Sequence, residues 1–274
     1  MRKQSSNNNE SGMMIDLKNP SHAYFFGFIQ ADGHLRRIIG NKGALTVELS
    51  GQDQWLLEQF AQIVPVYSSI STRRRTTNFK DGYESATWTV YDLAFRQALL
   101  AIGMPEGRKS GIVKPPEMEF SQPDYYRGIV DADGALGLTS NEYPFLTLTT
   151  HSAAMANGYV EFVEQIIGKA KTSSRNSRDQ VFNIAVFKED AQRLAAAMYY
   201  EGGLALPRKM ERARQVAEWV RPIGMRKVEN RKRWTSEEDS YVLAHSITES
   251  MAALGRSENS IKLRRWRLFN GITR

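Results

Sequence analysis

Apolar and polar positions alternate in blocks from His22 to Tyr200. His22–Asp32 is a nearly continuous apolar run, long enough for a buried helix, with Gly33 as its expected stop. Leu35–Ile39 and Ala44–Ser50 alternate as strands do, around the turn Gly40-Asn41-Lys42-Gly43. Asp53–Ile63 has helical spacing and ends at Pro65. Val66–Thr72 and Glu84–Val90 predict two more strands flanking the basic segment Arg73-Arg74-Arg75, and Tyr91–Ile102 predicts a closing helix. The second half repeats this order. Helices are expected over Tyr125–Asp133, Ala153–Ile167 and Lys188–Tyr200. Strands are expected near Ala135–Thr139, Phe145–Thr150, Ala170–Arg175 and Val181–Phe187. Both halves therefore follow the order αββαββα.

The repeat is also visible in the text. Gly27-Phe28-Ile29-Gln30-Ala31-Asp32-Gly33 recurs as Gly128-Ile129-Val130-Asp131-Ala132-Asp133-Gly134. Four residue types matched at four fixed positions occur by chance about once in 10⁵ starts, so the two copies indicate an internal duplication. Arg108-Lys109 and Arg208-Lys209 follow the last helix of each half. The expected fold is α+β, with two pseudo-symmetric αββαββα halves over residues 20–114 and 125–220. A proline-stiffened linker, 115–124, joins them through Pro115, Pro116 and Pro123. Residues 1–19, rich in Ser, Asn and charge, suggest a disordered leader.

After Arg221 the pattern changes. Thr235 and Glu238 form a capping box, and helices are expected to His245, over Thr248–Leu254 and over Ser257–Phe269. They would make a small all-α trihelical module, 231–270. The net charge of +7 is concentrated here: residues 221–274 hold 12 Lys and Arg against 6 Asp and Glu, and the rest of the chain is close to balanced. That surplus makes the tail a candidate polyanion contact. The chain has no cysteine, which excludes disulfides, thiolate metal sites and cysteine nucleophiles. No apolar run has the length of a membrane span.

Gly27 and Ala31 lie four apart on one helix face, as do Gly128 and Ala132. Small residues at this spacing let two helix backbones approach closely. Packing the two motif helices together would bring Asp32 and Asp133 side by side at the negative ends of two helix dipoles, a repulsion that a divalent cation would offset. Hard oxygen ligands of this kind suit Mg²⁺, and metals held by paired carboxylates assist phosphodiester hydrolysis. Lys109 and Lys209 could bear transition-state charge.

The two motifs resemble those of the LAGLIDADG homing endonucleases in their single-chain, two-motif form, over about Ser21–Val220. The resemblance implies a Mg²⁺- or Mn²⁺-dependent, site-specific double-stranded DNA endonuclease that acts as a monomer on a long target and leaves short 3′ overhangs. It assigns metal binding to Asp32 and Asp133 with the backbone carbonyls of Ala31 and Ala132, and it places Lys109 and Lys209 beside the reacting phosphate. The sixth motif position differs, Gln30 against Asp131. The sheets of such enzymes form a saddle on DNA, which makes Arg36, Arg37, Arg73, Arg74, Arg75, Arg175 and Arg178 candidate contacts. The tail resembles a Myb-like helix-turn-helix module in Trp234–Asp239 and Leu254–Ser257. The resemblance makes its third helix the recognition helix, with Ile261 and Trp266 in the core and Lys262, Arg264, Arg265 and Arg267 facing DNA.

Two other readings share this architecture. One is a non-catalytic transcriptional regulator of the kind found in sporulation, which combines the same fold with a helix-turn-helix but has usually lost the acid pair. The other is an RNA maturase that assists intron splicing. An active intein is disfavoured, since cysteine and flanking splicing blocks are absent. The expected location is cytoplasmic, in a bacterial or phage context.

Overall fold

The first motif folds as helix α1, Pro20–Ala31, in a computed structural model that describes residues 14–76, 82–169, 173, 175–225 and 233–272. Asn19 caps it, its Oδ1 accepting from the Ser21 and His22 N–H groups, and Pro20 occupies the first turn, where a backbone donor is not missed. Ala23 through Gln30 are all buried. A helix buried all round needs no single apolar stripe.

The chain divides into two units, Met1–Val220 and Arg221–Arg274. In the first, strands β1 (His34–Leu35), β2 (Leu45–Ser50), β3 (Ser69–Arg75) and β4 (Tyr83–Val90) form an antiparallel sheet in the order β1-β2-β4-β3. Helices α2 (Gln54–Ile63) and α3 (Leu93–Ala101) belong to the same half. Helix α4 (Gln122–Asp133) carries the second motif. It is followed by β5 (Gly134–Leu138), β6 (Pro144–Thr150), α5 (Ala153–Ile167), β7 (Phe182–Phe187) and α6 (Glu189–Met198). The strands β5-β6-β7 form a second antiparallel sheet.

Each sheet turns one face to the core. Leu45, Val47 and Leu49 alternate with more exposed positions along β2, and Leu136, Leu146 and Val186 align across the second sheet. In the first half Phe25, Phe60 and Trp88 meet edge to face. In the second, Tyr126 stacks on Phe162 at 4.8 Å between ring centres.

Several expectations change. Met14 to Asn19 do not behave as part of a loose leader: Ile15 and Leu17 are buried in the core, and the Ser121 N–H donates to the Leu17 carbonyl. Residues 1–13 lie outside the described residues. The strand expected over Leu35–Ile39 shortens to two residues, because pairing with β2 stops at Leu35. Arg73, Arg74 and Arg75 lie within β3, since β4 pairs with them through Ser85, Glu84 and Tyr83. The strand expected near Ala170–Arg175 falls mostly outside the described residues; Arg175 alone forms an isolated bridge, with Phe182. A helix not anticipated, α7 (Pro207–Glu218), packs against β5 and α6. Pro123 lies in the first turn of α4 rather than in a linker.

Gly33 and Gly134 do not stop their helices by adopting a left-handed conformation. Gly134 is extended, with φ −109°. A Cβ on Gly33 would lie 2.6 Å from the Ile29 carbonyl oxygen, and one on Gly134 would lie 2.6 Å from that of Thr147. Glycine is needed at these positions because the chain leaves each helix against neighbouring backbone.

The second unit contains α8 (Ser236–Ala244), α9 (Ile247–Leu254) and α10 (Glu258–Phe269), packed on one another. Capping boxes open α8 with Thr235 and Glu238 and α9 with Ser246 and Glu249. Ile261 is fully buried, whereas Trp266, expected in the core, is 57 % exposed. The inner face of α10 is completed by Arg264 instead. None of the described helices is long and apolar enough to cross a membrane.

Candidate active site

The site is built where α1 and α4 touch. A Cβ on Gly27 would sit 2.1 Å from the Tyr125 carbonyl oxygen, and one on Gly128 would sit 2.2 Å from that of Tyr24. No side chain fits there, so the two helices meet backbone to backbone. This is the close approach that the small residues predicted.

Reciprocal hydrogen bonds hold the pair in register. Tyr24 lies three residues before Gly27, and its hydroxyl donates to Asp131 Oδ2 at 2.7 Å. Tyr125 lies three before Gly128, and its hydroxyl donates to Gln30 Oε1 at 2.5 Å. The sixth motif position thus accepts from the opposite helix in both halves. Asp131 also accepts from the Tyr199 hydroxyl and the Leu206 N–H, each at 2.7 Å. Burial pushes its carboxyl above the usual range, and these donors oppose the shift. Gln30 Nε2 instead donates to the Gly103 carbonyl at 2.9 Å. The Gln30/Asp131 difference therefore separates two structural solutions for fastening the helix to its own half.

Asp32 caps the C-terminus of α1, and Asp133 is the last residue of α4. Both remain open to solvent, yet the protein around them raises both carboxyls. Asp133 is pushed up to about 6, by desolvation first and then by the charge of Asp32, against the pull of Lys109 and Lys209. Lys109 and Lys209 are each brought down to about 8 by burial. Lys109 feels the opposing field of Asp133 and Asp32, and Lys209 that of Asp131 and Asp32. Two acids and two lysines from both halves thus share one electrostatic neighbourhood.

The lysines satisfy helix ends. Lys109 Nζ donates to the Gln30 carbonyl at 2.6 Å and also to that of Ala31. Lys209 Nζ donates to the carbonyls of Val130 at 3.0 Å and Gly134 at 2.6 Å. Cations are favoured at such carbonyl-rich ends. The donor set, two carboxylates beside backbone carbonyls, is hard oxygen throughout and fits Mg²⁺ or Mn²⁺, which need only one or two protein carboxylates. Among the described residues no cluster of three or more His, Cys, Asp or Glu side chains could hold a metal. A cation at the Ala31 carbonyl would share that oxygen with Lys109. Beside Asp133 lies a cleft of about 440 Å³ lined by Asp133, Lys109, Ala31, His34, His151 and Thr149 among others.

The other expected contacts separate. Arg36 and Arg37 are exposed just beyond β1. Arg73 and Arg75 lie on the open face of the first sheet, aligned with Ser85 and Tyr83, whereas Arg74 points to the opposite face with Glu84 at 3.9 Å. Arg75 pairs with Glu48 at 3.2 Å. Arg175 lies over the Phe182 ring, and Arg178 pairs with Asp179 at 2.9 Å. In the second unit Lys262 is exposed beside Glu258, and Arg267 is half-buried. Arg264 and Arg265 do not face outward. Arg264 is buried against Asp239 with bonds of 2.7 and 2.6 Å, and Arg265 donates to the carbonyls of Val242 and His245. Arg256 stacks 3.9 Å over the Trp234 ring and pairs with Glu238, so α8 is held to the rest of its unit by arginine–carboxylate contacts.

Sequence reasoning did not single out Tyr24, Tyr125, His34 or His151. The two tyrosines carried a signal, since both stand at the same offset from their motif glycine.

No family model matches the chain, and no curated protein matches it. Solved structures do. The homing endonuclease I-WcaI bound to its DNA recognition sequence is similar with a TM-score of 0.51 and 12% identity, over 72% of this chain and 87% of that one. The I-LtrWI LAGLIDADG homing endonuclease bound to target DNA gives a TM-score of 0.47 and 10% identity over 72% and 88%. With its two antiparallel sheets hung from two helices in backbone contact, this chain shares the mixed α+β fold of the homing endonuclease I-WcaI.

Proposed function

We propose that the protein is a site-specific, divalent-metal-dependent double-stranded DNA endonuclease. The observation that carries this reading is the pair of acids at the ends of two helices in backbone contact, each end also holding a lysine, Lys109 half-buried and Lys209 buried. The fold shared with I-WcaI supports it. Asp32 and Asp133, with the Ala31 and Ala132 carbonyls, would hold Mg²⁺ or Mn²⁺, which supplies polarisation of the phosphoryl oxygen and a water of lowered pKa.

The chain's own residues do the rest. The sheets position the duplex across the acid pair, so that a phosphate of each strand meets one end of the joint. Lys109 and Lys209, lowered to about 8, remain largely protonated at neutral pH and stabilise charge on the phosphate. Their bonds to helix carbonyls keep each ammonium in place before substrate arrives. Cleavage of both strands leaves short 3′ overhangs. One chain supplies both acids, so the active form is a monomer. The C-terminal helix-turn-helix unit adds a DNA contact through the exposed Lys262 and the half-buried Arg267, lengthening the site.

The test is a cleavage selection on a duplex library, in Mg²⁺ and in EDTA, with the Asp32→Asn/Asp133→Asn double variant as control. Metal-dependent cutting at one long site, lost in the variant while binding persists, is the expected result. Specific binding without cutting by the unaltered chain would overturn the nuclease reading in favour of a regulator.

A further inference from the structure

The two sheets present opposite chemistry on their open faces. On the first, Thr46, Glu48, Ser71, Arg73, Arg75 and Thr87 lie on the side away from the core. Arg73 and Arg75 are exposed there, and Glu48 props Arg75 through their 3.2 Å ion pair. The strands of the second sheet, GALGL, PFLTLTT and FNIAVF, contain no charged residue. Their open face carries Ala135, Phe145, Thr147, Thr149, Asn183, Ala185 and Phe187, with the Asn183 amide as its one polar group besides the threonine hydroxyls.

The hydroxyl protons of the two threonines on this second face are used within the protein. Thr147 Oγ1 donates to the Ala135 carbonyl at 3.4 Å, and Thr149 Oγ1 donates to Asn183 Oδ1 at 2.8 Å. The two threonines therefore offer no donor outward but bring methyl groups to this face, next to Asn183, Ala185 and a half-exposed Phe187. Both faces start at the acid pair: β5 follows Asp133 directly, and β1 begins two residues after Asp32. The cleft beside Asp133 is lined from both, by His34 of β1 and Thr149 of β6.

We infer that the two halves of the DNA target are read by different chemistry, a guanine-bearing half under the first sheet and a thymine-rich half under the second. Arginine is the side chain that matches the O6 and N7 acceptors of guanine in the major groove. Alanine, the threonine methyl and phenylalanine are the groups that pack on the thymine C5-methyl. Uncharged strand side chains cannot gain from phosphates by counterion release, so the strands of the second sheet contribute selectivity by shape, by methyl contact and by the Asn183 amide. The first contributes charge and hydrogen bonds. This inference rests on the proposed DNA-binding function and adds to it which bases each sheet selects.

The experiment is the selection on randomised duplexes with the full chain, followed by two changes to the winning site. First, thymine is replaced by deoxyuridine in one half at a time, which removes only the methyl. Binding is expected to weaken about fourfold for each contacted methyl, the worth of one buried methyl group, in one half alone. Second, Arg73→Ala and Thr147→Ser assign the halves. Arg73→Ala should relax a guanine preference by about tenfold in the half insensitive to deoxyuridine. Thr147→Ser keeps the hydroxyl but loses the methyl, and should relax a thymine preference in the sensitive half. A site with equal guanine content in both halves, or one indifferent to deoxyuridine throughout, overturns the inference while leaving the nuclease reading intact. Absence of any sequence-selective binding overturns both.

Discussion

The Tyr24 hydroxyl donates to Asp131 at 2.7 Å across the joint of the two motif helices, and Tyr125 returns the contact to Gln30. The two bonds differ in one respect: the acceptor is a carboxylate in one direction and a neutral amide in the other. A buried hydrogen bond to a charged acceptor contributes about 1.5–3 kcal/mol, a neutral one about 0.5–1.5 kcal/mol. Tyr24→Phe is therefore expected to cost about 2 kcal/mol of unfolding free energy and Tyr125→Phe about 1 kcal/mol. Urea denaturation at pH 7.5 measures both, and equal costs would mean that Asp131 is protonated in the fold.

Helix propensity alone makes Gly27→Ala and Gly128→Ala stabilising by up to about 1 kcal/mol each. The structure reverses the sign, because each new methyl would meet a facing carbonyl oxygen at 2.1 or 2.2 Å. Both variants are expected to lose about 1–3 kcal/mol or more and to lower Tm. A neutral or raised Tm would show that the helices do not touch at these residues.

The raised carboxyl of Asp133 has a definite signature in stability. Its folded value of about 6 lies above the ordinary aspartate value of 3.8. Between these values the folded chain holds more proton than the unfolded one, so this group's contribution falls as pH rises from about 4 through 6 and stays low above it. In EDTA, Asp133→Asn should raise Tm above pH 6 and match the unaltered protein near pH 4. A thermal-denaturation series in pH checks this, and a variant less stable at pH 7.5 would contradict it.

If the same oxygens hold a divalent cation, Mg²⁺ stabilises the folded chain by mass action, about 2.7 kcal/mol at a hundredfold excess over Kd. Tm should rise with Mg²⁺ at pH 7.5 in the unaltered protein and stay flat in Asp32→Asn/Asp133→Asn. An equal rise in both would place the ion elsewhere.

Arg264 and Lys262 are neighbours on α10 with opposite roles. Arg264→Ala strands Asp239 without its partner and should cost the C-terminal unit about 1–3 kcal/mol. Lys262→Ala should leave Tm unchanged and lower the salt dependence of DNA binding by about one counterion. Calorimetry and a salt titration separate the two. A loss of salt dependence in Arg264→Ala without loss of stability would restore it as a contact.

The sequence by itself determined nearly all helices, the close contact of the two motif helices, and the place of Asp32 and Asp133 at their ends. Each of these follows from local information, namely a repeated motif and a spacing that sets which residues share a helix face. Gly27 and Gly128 announced the close helix contact because only steric size matters there. Tertiary structure decided the rest. Lys109 and Lys209 reach helix carbonyls 75 or more residues away, and no local spacing encodes a contact over that distance. Arg264 turns inward and Trp266 outward because the neighbouring helix places Asp239 where a guanidinium is needed. A basic residue on a helix does not record which partner will meet it. The same limit applies to the sheets: alternation showed which strand positions point away from the core, but the pairing of Arg73 and Arg75 into a charged face, and of Thr147 and Ala185 into an uncharged one, exists only once the strands are in register.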